Sequence, residues 1–193
     1  MNYKLFQLIN HNAGHHPVLD GLMVFFTKEA MIVYALILLL MWFLGKDNYK
    51  QTVVLAALTG AIGLFINFIL GHIFYESRPF ITHHVHLLLP HVKDSSFPSD
   101  HTTGAFALAL AVLWRKHGKI GSIMLVIPIL TGFSRVYVGH HYPFDVLGSV
   151  LVAFITSGVV YKFQAVFKPL SKLIISIYNR VPLVPKREQN LSR

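Results

Sequence analysis

The chain has 193 residues, of which 54% are hydrophobic and only 13% are charged, and its mean hydropathy is +0.55. This composition excludes an ordinary soluble domain and indicates a protein embedded in a membrane. The absence of cysteine excludes disulfides and thiolate metal sites. The net charge of +9 comes from short Lys and Arg clusters between apolar runs, which is typical of membrane topology signals and does not indicate a nucleic-acid partner.

The N-terminal segment, residues 1–28, does not fit a removable signal peptide. Polar residues such as Asn10 and His16 interrupt any apolar core, and no small-residue cleavage site follows. We predict an amphipathic helix at the membrane interface, followed by a short apolar piece, Val18–Phe26, as a candidate for a partial sixth span.

Five apolar runs predict membrane-spanning helices, and strand-like alternation is absent from the sequence. The runs are Ala30–Gly45, Thr52–Tyr75, His101–Trp114, Ile120–Ser134 and Val146–Tyr161. A run of about 16 residues is only about 24 Å long as a helix, which is short of a ~30 Å hydrocarbon core, so the helices should extend into their polar flanks. The predicted fold class is all-α, a polytopic membrane helical bundle of five or six transmembrane helices.

The basic residues predict how the chain is oriented. Of the 17 Lys and Arg residues, most flank one set of helix ends or lie in the C-terminal region, whereas Arg78, Lys93 and Arg135 lie in the opposite loops. By the positive-inside rule the C-terminus is cytoplasmic and these loops face outward. We divide the chain into a membrane domain, residues 1–168, and a cytoplasmic tail, residues 169–193, whose last dozen residues, within Val181–Arg193, are expected to be disordered.

Three segments on the predicted outer side place polar residues beside apolar runs. Arg78 and Arg135 offer permanently charged, bidentate donors to phosphate oxygens. Ser99 is a predicted N-cap of the helix that follows, and the free N–H groups of that helix start favour an anion.

The third segment supplies a candidate nucleophile. Pro143 suits a first helical turn, which leaves the pair His140 and His141 just outside the helix and Asp145 one turn onward. A histidine oriented by a carboxylate, with two arginines and a second histidine as proton donor, can transfer a phosphoryl group without a metal ion. Spacing alone does not decide between His140 and His141.

The motifs Arg78-Pro79 and Pro98-Ser99-Asp100-His101, with Arg135 followed at fixed spacing by His141 and Asp145, resemble the signature of the type 2 phosphatidic acid phosphatase superfamily. The resemblance spans residues 71–145 by motif. It implies a helical bundle that acts through a phosphohistidine and needs no metal or other cofactor.

The resemblance also assigns roles to residues. It implies that His141 is the nucleophile, that Asp145 orients it and that His101 donates the proton. It further implies that the phosphate is held by Arg78, Ser99 and Arg135.

The chain departs from the family pattern at two positions. Gly71 stands where the family usually has Lys, and either Lys93 or His72 is a candidate for the missing positive charge. Asp100 stands where the family usually has Gly, and this form is similar to the bacitracin-resistance subgroup, the bacterial undecaprenyl-diphosphate phosphatases.

The subgroup implies a substrate and a location. The expected reaction is hydrolysis of undecaprenyl diphosphate to undecaprenyl phosphate at the outer face of the bacterial plasma membrane, which recycles the cell-wall lipid carrier and raises bacitracin resistance. The alternatives are a phosphatidylglycerophosphate or phosphatidate phosphatase, because the motifs describe the phosphate rather than the lipid tail, and a non-catalytic lipid transporter. The sequence leaves open the oligomeric state. The histidine-rich loop, residues 83–91, is expected to be a solvated loop at the outer leaflet, and a metal site or a place near the substrate headgroup are the alternatives.

Overall fold

The structure, a computed structural model, describes residues 1–115 and 117–180, which form helices joined by loops and contain no strand. The helices in chain order are α1 (Asn2–Asn10), α2 (Pro17–Leu44), α3 (Asp47–Ile73), α4 (Pro79–Thr82), α5 (Asp100–Trp114), α6 (Gly118–Met124), α7 (Val126–Tyr137), α8 (Pro143–Lys162) and α9 (Gln164–Asn179).

Four helical segments of the described chain are long and apolar enough to cross a membrane. They are Pro17–Leu44, Asp47–Ile73, Gly118–Tyr137 and Pro143–Lys162, each of 20 to 28 residues. Each extends beyond the apolar run that predicted it at its N-terminal end, and the last two do so at both ends, which brings their lengths to those needed to cross a bilayer. The predicted all-α bundle of a multi-pass membrane protein is confirmed.

The fifth predicted run forms α5, which is only 15 residues long and lies at the centre of the bundle. Ten of its residues are buried, and it packs against α2, α3, α6, α7 and α8. Its buried face is rich in Ala, with Gly104 and two threonines, and small residues of this kind let helix backbones approach closely. The packing of α5 therefore fixes the position of His101 in its first turn.

The proposed sixth span does not exist as a separate element. Val18–Phe26 is the first part of α2, which begins at Pro17 and continues without a break to Leu44. Sequence alone divided this helix because Lys28 and Glu29 interrupt the apolar pattern. The amphipathic helix expected before it corresponds to α1.

The run Ile120–Ser134 is divided between α6 and α7 because of Pro128. Proline has no backbone N–H, so it cannot bond to the carbonyl four residues earlier, which is that of Met124. The hydroxyl of Tyr34 in α2 donates to this carbonyl at 2.8 Å. Tyr34 and Met124 are both fully buried, so the break is stabilised from the neighbouring helix.

The C-terminal helix α9 crosses the predicted boundary between residues 168 and 169. It contains Pro169 and continues to Asn179, with Ser171 and Ile175 buried and the helix packed against α3. The apolar pattern weakens here because α9 is amphipathic, and the helix does not end at that point. The predicted disordered stretch, Val181–Arg193, lies outside the described residues.

The contact between α5 and α6 depends on Gly121. A Cβ added at this position would lie 2.5 Å from Leu113 Cα and 2.6 Å from its backbone nitrogen, atoms that cannot rotate away. We expect Gly121→Ala to destabilise the bundle by about 1–3 kcal/mol and to lower the Tm of the purified protein in detergent. Gly118→Ala is the control, because the space around Gly118 is open. Equal Tm values for the two variants would contradict this packing.

Candidate active site

The three polar segments meet at one end of the bundle. The loop after α3 and the loop before α5 are joined by an isolated bridge between Ser77 and Ser95, and Ser96 N donates to Glu76 O at 2.7 Å. The loop between α7 and α8 completes the site. In the resulting cluster Arg78, Arg135, His141 and Asp145 are each at most 5% exposed.

His141 is held in one tautomer. Its Nδ1 lies 2.8 Å from the carbonyl oxygen of Ser96, which can only accept, so Nδ1 carries the proton and Nε2 carries the lone pair. Arg78 Nη1 lies 3.0 Å and Arg135 Nη2 lies 3.4 Å from this Nε2. Two guanidinium groups therefore converge on the one nitrogen that is able to act as a nucleophile.

Burial keeps His141 neutral. Desolvation, followed by the charges of Arg135 and Arg78, holds the pKa of His141 well below its usual value. The lone pair on Nε2 is therefore available at neutral pH. This is the protonation state that nucleophilic attack requires.

The neighbouring His140 is used differently. Its Nε2 lies 2.9 Å from the carbonyl oxygen of Leu89 and donates to it. Desolvation by burial, with the charge of Arg135, also lowers the pKa of His140. His140 thus anchors the 83–91 loop, whereas His141 presents its lone pair to both arginines. The structure distinguishes two histidines that sequence spacing left equivalent.

Asp145 lies beside His141 but is not its direct partner. Asp145 Oδ2 is 3.5 Å from His141 Nδ1, whereas it accepts from Ser96 Oγ at 2.5 Å and from Tyr142 N at 2.7 Å. Ser96 therefore links the two residues, with its carbonyl on the imidazole and its hydroxyl on the carboxylate. Sequence reasoning missed Ser96, and the only available signal was its place directly before the second motif.

The two arginines are held by the loop that precedes α5. Arg78 Nε donates to Asp94 Oδ1 at 2.7 Å, and Arg135 Nη2 donates to His91 Nε2 at 2.9 Å. Arg135 Nε has no partner among the described residues. Asp94 is the one carboxylate paired directly with these guanidinium groups in the described chain, so the pair retains an excess of positive charge suited to a phosphate.

The second predicted motif divides between two environments. His101 is partly exposed, and its ring makes no hydrogen bond within the described chain. It lies close enough to Arg135, His91 and Arg78 to feel their electrostatic influence. Ser99 occupies the N-cap position, as predicted, and its side chain makes no capping hydrogen bond to the start of the helix. Its hydroxyl accepts from Thr102 at 3.0 Å and its N–H donates to Ser149 at 2.7 Å, so the contacts of Ser99 anchor α5 to α8.

The histidine-rich loop, residues 83–91, is attached to α1. Asn10 is 3% exposed, donates to the carbonyls of His86 and Tyr137 at 2.8 Å each, and accepts from His86 N at 2.9 Å. The ring of His83 stacks on Tyr3 at 3.8 Å. In residues 1–115 and 117–180 no group of three or more His, Asp or Glu side chains is placed to hold a metal ion.

The position of the missing family lysine is closely packed. A Cβ added to Gly71 would lie 3.3 Å from the Phe97 carbonyl oxygen and 3.5 Å from Ser95 Cβ, so the loop that carries Ser96 packs over this glycine. Of the two candidates for the missing charge, His72 is exposed and its Nδ1 bonds to Phe68 O, and Lys93 is exposed on the loop. Neither contacts the arginines.

The chain is similar in sequence and in fold to known proteins of one superfamily. The PAP2 superfamily model matches residues 52–168. The chain is 46% identical over 181 residues to undecaprenyl-diphosphatase BcrC of Bacillus subtilis, covering 94% of this chain and 93% of that protein. It is 36% identical over 155 residues to the putative undecaprenyl-diphosphatase YbjG of Escherichia coli, covering 80% and 78%. The crystal structure of Aquifex aeolicus LpxE is similar, with a TM-score of 0.66 and 29% identity over 83% of this chain and 94% of that one.

The bridging role of Ser96 predicts a specific loss. Ser96→Ala removes the hydroxyl that donates to Asp145, and a hydrogen bond to a buried charged group is worth about 1.5–3 kcal/mol, so turnover is expected to fall about 10- to 100-fold. Ser95→Ala is the matched control, because Ser95 Oγ donates only to the Phe97 carbonyl. The steady-state kcat is measured for both variants. A kcat of Ser96→Ala equal to that of Ser95→Ala would contradict the proposed link from His141 through Ser96 to Asp145.

Proposed function

The chain belongs to the PAP2 superfamily, and from this premise we propose that it hydrolyses undecaprenyl diphosphate to undecaprenyl phosphate and inorganic phosphate in the bacterial plasma membrane. One observation carries the proposal: the lone pair of His141 Nε2 faces two buried guanidinium groups. This arrangement matches a terminal phosphate, whose oxygens bind Arg78 and Arg135 while its phosphorus meets the imidazole.

The first chemical step transfers the phosphoryl group. His141 Nε2 forms a bond to the terminal phosphorus, and the bond from phosphorus to the bridging oxygen breaks. Arg78 and Arg135 stabilise the negative charge on the equatorial oxygens, which is the largest contribution that fixed positive groups make to such a step. His101 gives its proton to the departing lipid phosphate. The products are a phosphohistidine and undecaprenyl phosphate.

The second step releases phosphate. His101, now deprotonated, accepts a proton from a water molecule whose oxygen attacks the phosphohistidine, and the bond between Nε2 and phosphorus breaks. Ser96 and Asp145 keep Nδ1 of His141 protonated, so Nε2 regains its lone pair. The residues return to their starting protonation states without a metal ion entering either step.

The proposed substrate rests on the relatives. Two of them are named as an undecaprenyl-diphosphatase and a putative one, and one aligns with 94% of the chain. Asp100, the residue that marks the subgroup, accepts from Asn67 Nδ2 at 2.9 Å and contributes charge near Arg135. A glycerolipid phosphatase is the second candidate, because Arg78, Arg135 and His141 are suited to a phosphate and do not distinguish one lipid tail from another.

Phosphate release in EDTA tests the reaction and its nucleophile together. We expect purified wild type to release phosphate from undecaprenyl diphosphate with a higher kcat/KM than from phosphatidylglycerophosphate or phosphatidate. His141→Ala should lose about 10⁴-fold or more, since the nucleophile has no substitute. Preference for a glycerolipid would overturn the substrate, and complete loss in EDTA with rescue by a divalent cation would overturn the mechanism.

His140→Ala is the matched control for this experiment. His140 is as buried as His141, but its ring bonds to the Leu89 carbonyl and not to the arginines. We expect its removal to loosen the loop and to leave measurable turnover. Equal inactivation of both variants would mean that burial rather than nucleophilicity explains the loss at His141.

We also propose that the site faces outward and that the C-terminus is cytoplasmic. The distribution of Lys and Arg supports this orientation, and bacitracin, which captures undecaprenyl diphosphate, acts from the same side. An enzyme so placed competes with the antibiotic for its target. Overproduction should therefore raise bacitracin resistance.

The absence of native cysteine makes the orientation directly measurable. In cells without an outer membrane, a membrane-impermeant maleimide should label a Lys93→Cys variant and leave an Arg180→Cys variant unlabelled, because these exposed positions lie on the site loop and after α9 respectively. Permeabilised cells provide the control, in which both variants react. The reverse labelling pattern in intact cells would contradict the proposed orientation.

A further inference from the structure

One oxygen of the buried carboxylate in the site is unpaired. Asp145 is 0% exposed, and its Oδ2 accepts from Ser96 and Tyr142 and faces His141, whereas Oδ1 has no hydrogen-bond partner among the described residues. A buried carboxylate oxygen without a donor is costly, and such atoms in a functional site call for an explanation. The mechanism proposed above does not supply one.

The side chain of Glu76 lies near that of Asp145. Its backbone carbonyl accepts from Ser96 N at 2.7 Å, so Glu76 is attached to the same residue that joins His141 to Asp145. The side chain is half-buried, and its carboxyl lies close enough to that of Asp145 for the two charges to act on each other. Two carboxyl groups in contact cannot both be ionised without strong repulsion.

We propose that Glu76 is a positioning residue that acts in its protonated form, donating its carboxyl proton to Asp145 and so holding Asp145 anionic and correctly placed beside His141. Glu76 does not touch the phosphate. Its effect passes through Asp145 and Ser96 to the tautomer of His141. This inference rests on the proposed function, because it assigns a further residue to the same reaction.

The surroundings of Glu76 favour this state. Desolvation and the charge of Asp145 raise the pKa of Glu76 to about 7. The charged and titratable groups around the pair of Glu76 and Asp145 are Tyr142 at the start of α8, His141, whose Nδ1 lies 3.5 Å from Asp145 Oδ2, and Arg78, which acts on Asp145 from the loop after α3. Arg78 donates to Asp94 and its charge acts on Asp145, whereas the charge that acts on Glu76 is that of Asp145.

The raised pKa of Glu76 determines the direction in which turnover changes with pH. Glu76 is protonated below about pH 7 and donates to Asp145, and it ionises as the pH rises through that value. Two facing carboxylates then repel each other, Asp145 leaves its place beside His141 Nδ1, and turnover falls on the alkaline side.

Replacement by glutamine separates positioning from simple packing. Glutamine keeps a donor of the same shape and cannot ionise, so Glu76→Gln should match wild-type kcat at acid pH within about threefold and should lack the alkaline decline. Glu76→Ala removes both the donor and the titrating carboxyl, so it should lose about tenfold relative to wild type at acid pH and should also lack the alkaline decline. Asp47→Asn is the control at the opposite end of α3, where Asp47 pairs only with Lys50, and it should follow the wild-type profile.

The experiment records kcat between about pH 5 and 9 for the wild type and these three variants. The expected result is a decline above about pH 7 in wild type and Asp47→Asn that is absent in Glu76→Gln. A Glu76→Gln variant with the wild-type decline would assign the pH dependence to His101 and overturn the proposal. A Glu76→Ala variant with wild-type kcat would overturn it equally.

Infrared difference spectroscopy provides a readout that does not depend on the substrate. The carbonyl band of a protonated carboxyl should disappear as the pH rises through about 7 in wild type and should be absent from Glu76→Gln. If wild type did not hydrolyse undecaprenyl diphosphate, the proposed function would fail while this titration still decided the state of Glu76. Absence of the band in wild type would overturn the inference about Glu76 and would leave the proposed function unaffected.

Discussion

The placement of two guanidinium groups side by side in a buried site is the constraint on which the rest of the structure depends. Like charges repel strongly where water is excluded, and a buried charge is costly unless it is hydrogen-bonded. Arg78 and Arg135 donate hydrogen bonds to Asp94, to the His140 carbonyl and to the lone pairs of His91 and His141. All of these partners accept hydrogen bonds from the guanidinium groups, but among them only Asp94 carries a negative charge. We propose that the phosphate of the substrate neutralises the remaining positive potential.

The bundle provides the rigidity that this arrangement requires. The central helix α5 packs closely against its neighbours through its own small residues, and Ser149 of α8 bonds to both the N–H and the carbonyl of Ser99 at the start of α5. At the same end, α1 supports the site loop through Asn10, whose amide bonds to the backbones of His86 and Tyr137. Residues outside the chemistry therefore hold the reacting groups in place, because catalysis depends on orientation within fractions of an ångström.

Sequence predicted the helices better than the contacts. Apolar runs located α3, α5 and α8, because hydrophobic length is a strong signal in a membrane. The same signal divided α2 at Lys28 and Glu29 and ended the pattern at Pro169, since charge and proline resemble breaks when tertiary packing is unknown. Motif spacing predicted which residues would meet. It could not predict that the Ser96 carbonyl, rather than Asp145, bonds to His141, because a backbone acceptor carries no sequence signal. Glu76 lies two residues before Arg78 in the sequence, but its position near Asp145 depends on the fold.

The most direct test of this account is the site of phosphorylation during turnover. Purified enzyme mixed rapidly with undecaprenyl diphosphate labelled in the terminal phosphate, quenched in alkali and digested, should carry the label on the imidazole of His141. The label should be stable in alkali and lost in acid, as a phosphohistidine is. Label on His101 or His140 would contradict the assignment of the nucleophile. Turnover without any labelled protein would show that water attacks the phosphate directly and would contradict the central claim.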